Sequence, residues 1–330
     1  MSEQLWSIAP DTYRRHPVHL GEGAWPESNC SVDVWIELLN AAGLDPMAAL
    51  PFTIAIDFEG DQWTFFKIPY ADLYALYGIE VVEVNVWRAL AVHLDDQLKQ
   101  GRPCIVEVDA YHLPDTAGTS YQREHVKTSI AVQALDADAK RLGYFHNAGY
   151  YELTDSEFDA LFASADLDPR LTPPIIEIVK RPARPHGNGG SIARSSLDLL
   201  RVHLARRPRE NPFLRYAPRL AIELEHLAAG PLDTFHRYAF ATFRQFGSAF
   251  ELAGAYLRWL ETCGETELED PAAACDTIAA TAKALQFKTA RLVSTGRTFD
   301  AIAMLDTMAG AWEDLTARLS AQYGVAACSG

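Results

Sequence analysis

The stretch "KRPARPHGNGGS", residues 180–191, divides this chain into two kinds of sequence. Proline fixes φ and withholds a backbone donor, glycine loosens the chain, and a run rich in both continues neither a helix nor a strand. Its glycines also lack the strand, lysine and helix in the order a phosphate-binding loop needs. Before the stretch, short apolar runs of strand period alternate with helical ones; after it, every apolar pattern has helical spacing. The chain therefore reads as an α+β domain over 1–180, a linker over 181–191, and an all-α helical-bundle domain over 192–330. At 330 residues it is long enough for two such cores.

Within the first part, "CSVDVWIELLNAAG" places Val32, Trp35, Ile36 and Leu39 on one helical face and stops at Gly43. "ALPFTIAIDFEGDQWTFFKIP" reads as two β-rich runs around the turn "EGD". "YADLYALYG" and "RALAVHLDDQLKQG" read as helices, and "IEVVEVNVW", "RPCIVEVDAYHLP" and "PPIIEIVKRP" as strands. "HVKTSIAVQALDADAKRLGYFHN" reads as two strands joined through "DADAK", and "TDSEFDALF" as a helix with a threonine cap. Beyond the linker, helices are expected near 191–207, 211–229, 231–246, 247–263, 270–294 and 297–323, with "FGS" as one of the breaks.

Charge narrows the function. A net charge of −15 repels a phosphate backbone and argues against nucleic acid as a partner. Yet ten basic residues lie between Lys180 and Arg219, against two acidic ones. Such a segment is a candidate dock for an acidic partner, with Arg206, Arg207 and Arg209 at its centre; the alternative is a solvated face whose arginines pair within the fold. No apolar run approaches the roughly 20 residues that span a bilayer. The opening "MSEQLWSIAPDTYRRHP" lacks a basic start and apolar core, so a cytoplasmic location without membrane contact is expected. Five scattered cysteines (Cys30, Cys104, Cys263, Cys275 and Cys328) suit neither a disulfide framework nor a zinc site. The HxxH spacing of His16 and His19 falls on a proline-containing stretch, and no metal is expected there.

Cys30 opens the first helix. A thiol at a helix N-terminus faces unpaired backbone N–H groups and the positive end of the macrodipole, which favours the nucleophilic thiolate. The alternative is a small buried hydrophobe. A nucleophile needs a base, and the base needs a group that fixes its ring. His125 starts one strand and Asn147 ends the next, so a hairpin is expected to make them neighbours, while alternation points His146 away. In "FHRYAFATFRQFG", Arg244 and Gln245 are candidates to bind a carboxylate or phosphopantetheine; the alternative is a buried Arg244–Glu251 pair.

This order of cysteine, histidine and amide resembles that of papain-like cysteine peptidases. "NCSVDVWIELL", "IVEVDAYHLP", "REHVKTSIAVQALD" and "GYFHN" resemble the amino-terminal domain of the butirosin-biosynthesis acyltransferases, over about residues 25–165. "FEGDQWTFFK" and "FHRYAFATFRQFGSAFELAGAYLRWL" resemble blocks of the bacterial domain of unknown function 1839 family. The resemblance implies a papain-like Cys-His-Asn domain with Cys30 as nucleophile, His125 as general base and then acid, and Asn147 as orienting group. Asn29 or the N–H groups of Cys30 and Ser31 would receive the oxyanion, and Asp109, Tyr111 and His112 would line the pocket; the alternative for these three is a strand-end loop with ordinary turn chemistry. The implied reaction moves an acyl or aminoacyl group from the phosphopantetheine thioester of a carrier protein to a small-molecule amine, with no bound cofactor. This chain departs from those relatives in having an amide where the transferase has an aspartate, and in lacking a glutamine ahead of Cys30. The same residues would also serve a cysteine peptidase or thioesterase. A non-catalytic binding protein with an inert Cys30 is the reading from a different class.

Overall fold

The computed structural model describes residues 8–21, 23–165, 175–181 and 191–324. Most of the expected linker, from 182 to 190, lies outside the described residues, as does Cys328. The chain forms two compact units, neither continuous in sequence: residues 1–20, 29–46 and 70–188 make the first, and 21–28, 47–69 and 189–330 the second.

The first unit is mixed α+β. Its strands β1 (Glu80–Asn85), β2 (Cys104–Asp109), β3 (Lys127–Asp136), β4 (Arg141–His146), β5 (Gly149–Thr154) and β6 (Ile175–Lys180) form one sheet in the order β1-β6-β2-β3-β4-β5. Every neighbouring pair is antiparallel. Strand β5 goes beyond the expected set. It follows β4 through a tight turn in which Asn147 takes φ +46, a left-handed conformation that asparagine tolerates.

Helix α1 (Cys30–Ala41) packs on β3, β4 and β5, while α2 (Tyr70–Tyr77) lies by β1. Helices α3 (Leu90–Leu98) and α4 (Asp155–Ala165) share a core with the sheet, in which Leu90, Leu94, Val106, Ile130, Tyr144, Phe158 and Leu161 are buried. On α1, Val32, Trp35, Ile36 and Leu39 are buried as their spacing requires, but Asp33 and Glu37 are fully buried too. His19 lies between them, with Nε2 3.3 Å from Asp33 and Nδ1 2.5 Å from Glu37. Tyr13 donates its hydroxyl to the Glu37 carboxylate as well. Burial alone would push the imidazole of His19 down, but the two carboxylates outweigh it and hold the pKa at about 9.

The second unit holds α5 (Ile192–Arg206), α6 (Pro212–Ala229), α7 (Leu232–Ala241), α8 (Phe243–Thr262), α9 (Glu269–Thr295) and α10 (Ala301–Tyr323). The break expected at "FGS" falls earlier, at Thr242, with φ −126 and ψ −82. Gly247 sits inside α8 because the Trp25 indole occupies the space a Cβ would take. That indole donates to the Ala279 carbonyl at 3.1 Å, and Glu251 accepts from the N–H groups of Ala24 at 2.6 Å and Trp25 at 2.9 Å.

The β-rich reading of residues 50–69 is corrected. Pro51–Ala55 is a 3-10 turn, and Phe58 and Trp63 form a single bridge. Among the described residues this segment joins no sheet, and its aromatics pack instead with the helices. Trp63 lies 5.1 Å from Phe213 and 4.6 Å from Phe246 between ring centroids, and Phe58 lies 5.1 Å from Tyr216. No described helix is long and apolar enough to cross a membrane.

Candidate active site

Cys30 is the first residue of α1 and is half-buried. Asn29 caps the helix, its Oδ1 accepting from the N–H groups of Ser31 and Val32, both at 3.0 Å. The Ser31 N–H expected to receive an oxyanion is thus already paired, because the cap satisfies the first-turn donors. Of the other described cysteines, Cys104 and Cys275 are buried, and burial pushes the Cys104 thiol up to about 12 and raises that of Cys275 as well. Cys263 is exposed at the C-terminal end of α8, where the backbone presents carbonyls. Among the described cysteines, Cys30 is therefore the partly exposed thiol at a helix N-terminus.

His125 lies two residues ahead of β3, beside the end of β2. Lys127 pairs with Asp109 in the sheet, and the Ala110 N–H donates to the Val126 carbonyl at 2.8 Å. The His125 Nδ1 meets Asp109 Oδ2 at 2.6 Å, and the ring stacks on Tyr111 at 4.3 Å and 13°. Tyr111 in turn donates its N–H to Asp109 Oδ1 at 3.0 Å. Partial burial pushes the Asp109 carboxyl up, but the bonds from His125 and the Tyr111 N–H outweigh it and hold it below the usual range. With Nδ1 engaged by Asp109, Nε2 is the ring nitrogen left to exchange a proton with a partner.

Asn147 is not the partner of this histidine. Ala131 pairs with Phe145, so continuing the register sets Asn147 level with Ser129, four residues short of His125. That is about 13 Å of extended chain. The hairpin does bring the start of β3 to the end of β4, but the pair it makes there is Thr128 Oγ1 with His146 Nε2, at 2.8 Å. His146 Nδ1 meets Asp115 Oδ2 at 2.5 Å, and Tyr144 donates to Asp115 Oδ1 at 2.6 Å. This buried network shares the sheet face of Tyr144, with α3 and α4, as alternation requires.

Asp109, His125 and α1 belong to the opposite face. Phe145 packs at 5.3 Å against Tyr13, which bonds to Glu37 of α1, so the α1 face carries Phe145 and its partner Ala131. Counting back in twos along β3 reaches Lys127, whose sheet partner is Asp109. Ala41 and Ala42 at the end of α1 line a cavity with Pro103 and Gln133, at the end of the sheet where β2 begins. The helix start, with Cys30, is thus directed toward the end where β2 finishes and His125 lies. Among the described residues no hydrogen bond joins the Cys30 thiol to His125.

The remaining candidates are placed as follows. Gln245 is buried, its amide donating to the Phe240 carbonyl at 3.0 Å, and it is not open to a substrate. Arg244 donates from Nε to the Ser28 carbonyl at 2.7 Å and lies 3.5 Å from Glu27, so the alternative pair with Glu251 does not form either. Arg206 and Arg209 are exposed, and Arg207 donates to the Leu204 carbonyl at 2.5 Å. Among the described residues no group of three or more histidine, cysteine or acidic side chains is arranged to hold a metal.

Asp109 was legible only as a pocket residue; its role beside His125 depends on the β2–β3 register. Models of the DUF1839 N-terminal domain and the DUF1839 C-terminal domain match residues 14–181 and 190–321. No curated protein matches the chain.

Proposed function

The chain belongs to the DUF1839 family, whose two domains cover it without assigning an activity, and from the site itself we propose that it is a cysteine acyltransferase. The observation that carries the reading is the His125–Asp109 bond, which orients a base at the sheet end toward which the Cys30 helix start is directed. Asp109 takes the orienting role in place of Asn147. The papain-like arrangement of a thiol helix across a sheet is retained in this reading.

The donor is an acyl or aminoacyl thioester on the phosphopantetheine arm of a carrier protein. Cys30 gives its proton to His125 Nε2 and attacks the thioester carbonyl; the new C–S bond forms as the old one breaks. The pantetheine sulfur leaves with the proton returned by His125. A small-molecule amine then attacks the acyl-enzyme, His125 takes its proton, and the Cys30 sulfur is released. Exchange between sulfurs of similar basicity needs less acid assistance than expulsion of an amide nitrogen. The reading requires the thiol and Nε2 to stand within hydrogen-bond distance in the substrate complex.

Intact-protein mass after incubation with acyl-loaded carrier proteins tests this. The expected result is an acyl-sized gain that is absent in Cys30→Ala and forms about 10²-fold more slowly in Asp109→Asn, with Asn147→Ala close to wild type. The opposite ranking of the last two variants would overturn the Asp109 assignment. Release of the acyl group without any amine would make the protein a hydrolase. No gain, with Cys30 alkylating no faster than a free thiol, would make it a binding protein.

A further inference from the structure

Of the nine described basic residues between Lys180 and Arg219, four pair with carboxylates, three meet none, and Arg181 and Arg207 donate to backbone carbonyls. Lys180 pairs with Glu80 at 3.3 Å, Arg201 with Asp198 at 2.7 Å, Arg215 with Asp57 at 3.1 Å, and Arg219 with Glu223. Arg194, Arg206 and Arg209 are exposed and meet no carboxylate among the described residues. Arg207 turns inward to cap α5 through Leu204, which removes it from the expected docking set.

The unpaired group has a pattern. Arg194, Asp198, Val202 and Arg206 recur every four residues along α5, and all are exposed. Asp198 is neutralised by Arg201, and Val202 is 42% exposed between the two free cations. Arg209 follows just past the helix end. The face therefore sets one apolar side chain between Asp198, paired with Arg201, and the free Arg206. Arg194 lies a turn beyond Asp198, and Arg209 is followed by the exposed Glu210, so that positive charge is in excess here on a protein whose net charge is −15. An acidic partner is repelled by the rest of such a surface and steered to this one.

We propose that this face of α5 docks the acidic carrier protein through an acidic helix that carries an apolar side chain. The proposal rests on the carrier-thioester reading above for the partner's identity, while the surface itself is defined by the charge pairing. Nucleic acid is the poorer fit, because a patch of three cations on an acidic protein offers few phosphate contacts.

Binding is measured by calorimetry between the full-length Cys30→Ala protein and a holo-acyl carrier protein at 50 and 300 mM salt. The expected result is an affinity that falls with salt and drops at least tenfold with Arg206→Glu and Arg209→Glu together, and also with Val202→Asp. In the Cys30 protein, the arginine pair should lower transfer from a carrier thioester at least tenfold and leave transfer from the free pantetheine thioester unchanged. Undiminished carrier binding by the reversed pair, or equal loss with both donors, overturns the proposal. So does displacement of the carrier from this face by a single-stranded oligonucleotide. Salt-dependent binding lost in the variants, without any acyl-Cys30 in the parent, supports the surface and defeats the acyltransferase reading alone.

Discussion

Raising the pH should weaken the fold through His19. Its ring is held between Asp33 and Glu37, and the side chains are 4% exposed for His19 and fully buried for both carboxylates. Solvent therefore screens the interaction little. The folded pKa is about 9, against an ordinary value of 6.5. Each pH unit between the two is worth about 1.4 kcal/mol, so His19 contributes about 3 kcal/mol. Below 6.5 the ring is protonated in both folded and unfolded chains, and the contribution is complete. Above 6.5 the unfolded chain releases the proton while the folded one retains it. The contribution then declines until the folded ring also titrates near 9. His16, whose pKa is lowered mainly by burial, acts below this window.

Urea denaturation at pH 6.5, 7.5, 8.5 and 9 would read the effect, with His19→Gln as reference. The variant should be less stable at pH 6.5 by about 3–5 kcal/mol, since it leaves two buried carboxylates without their cation. Its deficit should shrink by about 3 kcal/mol by pH 9. A constant deficit, or a His19 Cε1–H resonance titrating near 6.5, would refute the buried imidazolium.

Two further substitutions test local packing and capping. Asn29→Ala removes the acceptor of the Ser31 and Val32 N–H groups and should cost about 1–2 kcal/mol in urea unfolding, whereas Asn29→Asp should recover most of it. Gly247→Ala places a methyl within the Trp25 indole and should cost about 1–3 kcal/mol; Gly310→Ala, where a Cβ meets nothing, gives the control expected to lose no stability.

Chemistry-bearing residues were easier to find than their partners. Cys30 was legible at a helix start because capping and apolar spacing are local. His125 was legible as a histidine at the edge of a strand, a candidate base. Its carboxylate partner was not, because a hairpin fixes which strand ends meet but not how many residues separate two side chains along them. The β3–β4 register settles that, and it leaves Asn147 to the turn that opens β5. Gly247 carried the opposite lesson. In sequence it resembles punctuation, and only the Trp25 ring, distant in the chain, explains a glycine within a continuous helix.

Sequence alone determined the succession of most helices and strands, the change from mixed to helical architecture, and the excess of basic residues near α5. Each depends on spacing or composition over a few tens of residues, which short-range physics reads directly. Tertiary structure decided the rest. It gave His125 its carboxylate, buried Asp33 and Glu37 around His19, moved the aromatic segment 47–69 into the helical unit, and separated paired arginines from free ones. These outcomes turn on contacts between residues far apart in the chain, where burial and register, not local propensity, select the partner.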